Sequence, residues 1–238
     1  MLAGFIGGYV VLFLKKLFSF MPKSLEGIRT ILIYPVAGIL LIGIIMLLIN
    51  PFVAAINTGL NNFLFSLSGV NKIILGAILA GMMSVDLGGP VNKAAYTFGT
   101  GMLAEGHYEI MAAVMIGGMV APLAIALLAT FFPKKLPQKE RQAGLLNYIM
   151  GLSFISEGAI PFASSDPIRV LVSCVIGSAV SGALSMAFNC TLMAPHGGIF
   201  VLPLIGNPGG YVISLIVGSF ISMGIMAIWK KNVWEKKA

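Results

Sequence analysis

Glu157 is the residue with the clearest capacity for chemistry. It lies in FISEGAIPFASSDP (154–167), a carboxylate inside an apolar stretch, followed by the helix breakers Gly158 and Pro161. An ionisable group at membrane depth is expensive and marks a functional position by default. A carboxylate is a bidentate acceptor, so Glu157 matches two neighbouring sugar hydroxyls, and it also suits a general base for a hydroxyl nucleophile. The alternative is a carboxylate paired internally for structure, yet nothing cationic lies within helical reach of it in the sequence. His196 sits in PHGG, between Pro195 and Gly197, where the backbone can come close to whatever fills a cavity. A neutral imidazole both donates and accepts, and it takes a proton near neutrality.

A second interruption, DLGGPVNK (86–93), resembles the first: Asp86 precedes Pro90 by four residues, as Glu157 precedes Pro161. Asp86 and Lys93 can pair across a hairpin tip or meet a substrate, and Asn92 is a hydroxyl partner on the same turn. Glu157 and His196 form the catalytic set. Asp86, Asn92, Gly158, Pro195 and Gly197 form the substrate-binding set. Asp166 before Pro167 reads as a helix N-cap with Arg169 as its i+3 partner. His107, in AEGHYE, reads as solvated loop. Phosphate-cradling glycine loops, metal motifs and nucleophile elbows are absent from the sequence, so no metal or cofactor is expected.

The elements that must position these residues belong to a membrane. Of 238 residues, 58% are hydrophobic and only 10% charged, with a mean hydropathy of +0.98; a soluble domain carries about 25% charged residues. The expected fold is all-α, one polytopic membrane domain over 1–238, and interrupted hydrophobic segments at corresponding places point to a transporter's site. The net charge of +7 does not indicate nucleic acid, because the basic residues cluster between apolar runs. Cys174 and Cys190 read as buried free thiols. MLAGFIGGYVVLFL, ahead of Lys15, makes a poor signal peptide and is short for a full span.

Three basic tracts set the topology: Lys15, Lys16, Lys23 and Arg29; Lys134, Lys135, Lys139 and Arg141; Lys230, Lys231, Lys236 and Lys237. By the positive-inside rule all are cytoplasmic, so an even number of crossings separates each from the next. Spans are expected at 31–50, 110–132, 168–188 and 211–229. Parity then makes 72–103 and 143–166 re-entrant hairpins and 191–208 a non-helical insertion. Residues 51–70 read as an interfacial helix, and Trp229 with Trp234 as an interfacial anchor.

SVDLGGPVNKAAYTFG (84–99), SEGAIPFASSDP (156–167) and APHGGIFVLP (194–203) together resemble the membrane permease component, enzyme IIC, of fructose-type sugar phosphotransferase systems. The resemblance implies a multi-pass permease of the bacterial inner membrane, a homodimer in the lipid bilayer. It would take up a hexose such as fructose and present it for phosphorylation by a phosphorylated enzyme IIB partner, making the chain the permease component of a sugar phosphotransferase. The family's G-I-T-E motif, which supplies a sugar-binding glutamate, maps onto Phe154-Ile155-Ser156-Glu157, with the Gly and Thr replaced. The histidine of its PHGG motif maps onto His196. Members of the family are longer at the N-terminus, so the chain is expected to begin inside one of their early helices. Two other readings remain open at the level of sequence: an ion-coupled sugar transporter relaying protons through Glu157, Asp86 and His196, and a truncated regulatory remnant.

Overall fold

Long apolar runs fold as helices here because a helix satisfies its backbone hydrogen bonds within one segment, which lipid cannot do. In the computed structural model, which describes residues 2–22, 25–68 and 72–233, four helical stretches are long and apolar enough to cross a membrane: Glu26–Phe52, Tyr108–Phe131, Pro167–Ala187 and Pro208–Trp229. They fall on the four expected spans, and the chain is an all-α, multi-pass membrane protein. Lys23, residues 69–71, Trp234, Lys236 and Lys237 lie outside the described residues.

The chain divides into two compact units, 1–60 and 61–238. In the first, α1 (Leu2–Leu17) is followed by the short α2 (Glu26–Ile28), a π-helical turn (Arg29–Ile33) and the greater part of α3 (Tyr34–Ser68). Arg29 ties this region together, donating to the Phe18 carbonyl at 3.2 Å and pairing with Glu26 at 3.5 Å. Ile39, Leu40, Leu47 and Leu48 are exposed along α3, an apolar surface suited to lipid. The separate interfacial helix expected over 51–70 is not formed, because α3 runs through Pro51 to Ser68. Proline forfeits one backbone bond, whereas ending the helix in apolar surroundings would strand several.

The second unit is built around α6 (Tyr108–Phe131), which is buried along nearly its whole length. α4 (Lys72–Val85), α9 (Pro167–Ala187) and α10 (Pro208–Trp229) pack with it. Small residues let the backbones approach: a Cβ on Gly76 of α4 would stand 2.7 Å from the Gly182 carbonyl oxygen of α9. Serines link the same helices, as Ser178 donates to the Gly117 carbonyl at 2.9 Å and Ser181 to that of Ser214 at 2.8 Å. Both devices serve helix association where lipid removes the hydrophobic drive. Cys174 and Cys190 are buried and free.

The ends of the helices fix which way each hairpin points. At the basic end, Lys135 after α6 donates to the Lys230 carbonyl after α10 at 2.7 Å, and Lys230 pairs with Asp166 ahead of α9 at 3.2 Å. At the other end, Lys72 at the start of α4 donates to Asn189 beyond α9. The helical hairpin α4–α5 (α5, Pro90–Ala104) therefore starts opposite the basic end. The hairpin α7–α8 (α7, Gln138–Leu152; α8, Ile160–Ser165) starts and finishes at it. This second hairpin begins at Gln138, five residues ahead of the expected boundary. Within 191–208 the chain forms a two-residue antiparallel ladder, β1 (Thr191–Leu192) with β2 (Ile205–Gly206), around a 3-10 turn at Gly198–Leu204.

Candidate functional site

Each hairpin tip is made by a residue in the left-handed backbone region. In the first, Leu87 (φ 46°) and Gly88 (φ 102°) turn the chain, and Pro90 opens α5. Asp86 holds the turn: its two carboxylate oxygens accept the N–H groups of Val91 at 2.7 Å and Asn92 at 2.9 Å. Those are first-turn donors of α5 with no partner inside the helix, so Asp86 acts as its cap. In the second tip, Phe154 takes φ 62°, and a 3-10 turn over Ser156–Ala159 leads into α8. Phe154 occupies the position at which the G-I-T-E motif carries glycine, the residue that adopts this conformation without a Cβ penalty.

The two tips meet. Gly88 faces Glu157 so closely that a Cβ there would stand 2.6 Å from Oε1. Lys93 Nζ lies 3.7 Å from the same oxygen. Asn92, buried, donates through Nδ2 to the Met83 carbonyl at 2.6 Å and approaches Ser156 Oγ at 3.5 Å. The meeting point is halfway along α6, because the Phe154 ring fills the space where Gly118, in the middle of that 24-residue helix, lacks a side chain. The PHGG segment joins them: Gly198 (φ 59°) is pressed against the backbone of Leu152 and Phe154. The His196 ring meets Phe154 at a tilt of 54° with 5.0 Å between centroids, and Phe154 in turn reaches Tyr96 at 6.2 Å.

A cavity of about 260 Å³ opens at this junction, lined by Met83, Asn92, Lys93, Tyr96, Phe154, Ile155, Ser156, Glu157 and His196. Among the residues singled out from sequence, Asn92, Lys93, Glu157 and His196 come together on its wall. Asp86, Gly158, Pro195 and Gly197 are not on it. Asp86 spends its carboxylate on the α5 backbone, and Gly158 packs against Asn147 and Met150. Lys93 pairs with Glu157 and not with Asp86, so the cation for Glu157 comes from the opposite hairpin, beyond any helical spacing in the sequence. Met83, Tyr96, Phe154, Ile155 and Ser156 complete the wall without having been expected there. Tyr96 was within reach, four residues after Asn92 on one helix face.

Outside the cavity, Asp166 precedes Pro167 at the start of α9 as expected, but its carboxylate makes no cap. It accepts from Arg169 at 3.3 Å and Lys230 at 3.2 Å. Burial raises its pKa, but those two cations outweigh burial and hold the carboxyl below its ordinary 3.8. His107 is exposed and lies 3.7 Å from Glu109. Among the described residues no three metal-ligating side chains cluster. The wall can thus offer a carboxylate, an amide, an imidazole, a hydroxyl and an ammonium group to a small polar molecule.

The family model "Phosphotransferase system, EIIC" matches residues 1–178. The "Fructose permease IIC component" of Bacillus amyloliquefaciens is 50% identical, over 98% of this chain and 80% of that protein. The "PTS system fructose-specific EIIABC component" of Bacillus subtilis is 48% identical over 98% of this chain, which spans 38% of that longer protein. The "PTS system fructose-specific EIIC component" of Haloferax volcanii is 40% identical over 99% of this chain and 63% of its own length. No solved structure matches.

Proposed function

Because the chain belongs to the EIIC family of the phosphotransferase system, we propose that it is a permease subunit that carries a hexose, fructose, across the membrane and presents it to a phosphorylated EIIB protein. Several similar proteins bear EIIB and EIIC in their names as parts of one polypeptide, which supports an EIIB donor at the cytoplasmic face. The reading places the chain as a homodimer in the bacterial inner membrane.

The observation that carries the proposal is the convergence of Asn92, Glu157 and His196, from three separate segments, on one cavity halfway along α6. Its volume lies near the lower end for a small-molecule site, ~300 Å³, which suits a monosaccharide. Glu157 accepts from two adjacent hydroxyls, and Ser156 and His196 supply further polar contacts. The side chains of Lys93 and Glu157 are 60% and 48% exposed; such a pair is worth less than ~1 kcal/mol, so Glu157 readily exchanges the ammonium for hydroxyls. Phosphoryl transfer depends on positioning and charge stabilisation. The sugar hydroxyl oxygen bonds to phosphorus, the bond from phosphorus to the EIIB carrier side chain breaks with its electron pair staying on the carrier, and Glu157 or His196 takes the hydroxyl proton. The permease needs no covalent intermediate and acts as one component of the transferase.

The test is the product. Membrane vesicles holding the chain, given radiolabelled fructose and phosphorylated EIIB, are expected to form fructose phosphate only when the donor is present. Accumulation of free fructose driven by a proton gradient would refute the reading.

A further inference from the structure

The reaction just proposed places negative charge where one lysine side chain lines the cavity. The hexose hydroxyl attacks a phosphoryl group, and in the loose transition state charge spreads over three equatorial oxygens. Elsewhere that charge is met by metal ions or by arginine and lysine clamps. Among the described residues no metal-ligating cluster exists, and Lys93 is the one lysine or arginine among the side chains lining the cavity. The N-terminus of α5 cannot substitute for it, because the Val91 and Asn92 amides already bond Asp86 and the Lys93 amide bonds the Gly89 carbonyl at 3.0 Å.

From this geometry we infer that Lys93 is a catalytic residue of the transfer step, its ammonium group binding the phosphoryl oxygens as they pass from EIIB to the sugar. The inference rests on the permease reading above. Lys93 Nζ lies 3.7 Å from Glu157 Oε1. A hydroxyl accepted by Glu157 sits ~2.7 Å from that carboxylate, and therefore beside the ammonium. Phosphorus arriving on that hydroxyl brings its oxygens within reach of a flexible four-carbon stem. The empty cavity pairs the two charges; when sugar takes Glu157, Lys93 is released to meet the incoming phosphoryl group. Lys93 is exposed, and its position in the first turn of α5 opposes the helix dipole, so its place is not explained by support of the fold.

The experiment separates binding from transfer. Equilibrium binding of radiolabelled fructose without donor, and fructose phosphate formation with phosphorylated EIIB, are measured in membranes holding wild-type chain, K93M or K93R at matched amounts of folded protein. K93M is expected to bind fructose within about threefold of wild type while its kcat falls about 10²–10³-fold, the scale for one lost charge-stabilising donor. K93R is expected to recover part of that loss. A K93M kcat within about threefold of wild type overturns the inference. So does a parallel loss of binding and turnover in K93M, which would mean that Lys93 serves only to hold Glu157. If the wild-type chain forms no fructose phosphate with donor present, the permease reading itself fails, and that result is distinguishable from both.

Discussion

At the scale of single residues, Phe154 shows how competing terms settle a site. Its left-handed backbone costs ~1–2 kcal/mol for a residue with a side chain. Its ring fills the space beside Gly118 and is the surface that the tilted His196 ring contacts; deleting such a buried ring costs ~3–5 kcal/mol. Packing wins. Phe154→Gly, although it restores the motif's glycine and relieves the backbone, is expected to lower stability by ~1–4 kcal/mol net, read as a fall in Tm in detergent, and to weaken fructose binding as His196 loses its support. An unchanged or higher Tm would contradict the packing account. Glu157 and His196 were legible because acid and imidazole are rare in such apolar sequence. Lys93 was visible, but its partner was not: the choice between Asp86 and Glu157 depends on which hairpin tips touch, and no local spacing encodes that.

At the scale of elements, the hairpin tip 86–89 is organised by Asp86. Both of its oxygens accept α5 amides, so Asp86→Ala leaves two donors unpaired. A lost cap of this kind costs ~0.5–2 kcal/mol. The Tm of D86A is expected to fall accordingly, with D86N intermediate because one acceptor oxygen remains. Fructose binding should weaken in step with the disorder at Asn92 and Lys93. Full Tm with abolished binding would make Asp86 a sugar ligand instead of a cap. The turns between α4 and α5 and between α7 and α8 could be read from glycine and proline between apolar runs. The continuation of α3 through Pro51 could not, since proline reads as a stop in sequence, while apolar surroundings penalise the stop more than the kink. The short β ladder that frames PHGG was also hidden, two residues on each side being too few for an alternating pattern.

At the scale of the whole molecule, the basic ends of α6, α9 and α10 are tied by Lys135, Asp166, Arg169 and Lys230. The Asp166 carboxyl is lowered in the fold, so the unfolded chain binds its proton more readily and stability rises with pH across that window. Its contribution is complete above the ordinary value of 3.8 and is lost as pH falls through the lowered one. Asp166→Asn is therefore expected to reduce the Tm at pH 7 and to differ less from wild type as the pH is taken below about 4; a gap that does not narrow would contradict the assignment. Opposed hairpins that start from opposite ends meet halfway along a buried helix and wall a cavity with polar side chains there. The most direct test of that arrangement is equilibrium binding of radiolabelled fructose, without donor, to membranes holding wild-type chain or Glu157→Gln. Saturable binding by the wild type and its loss in the variant is the predicted result, and equal binding by both would contradict it.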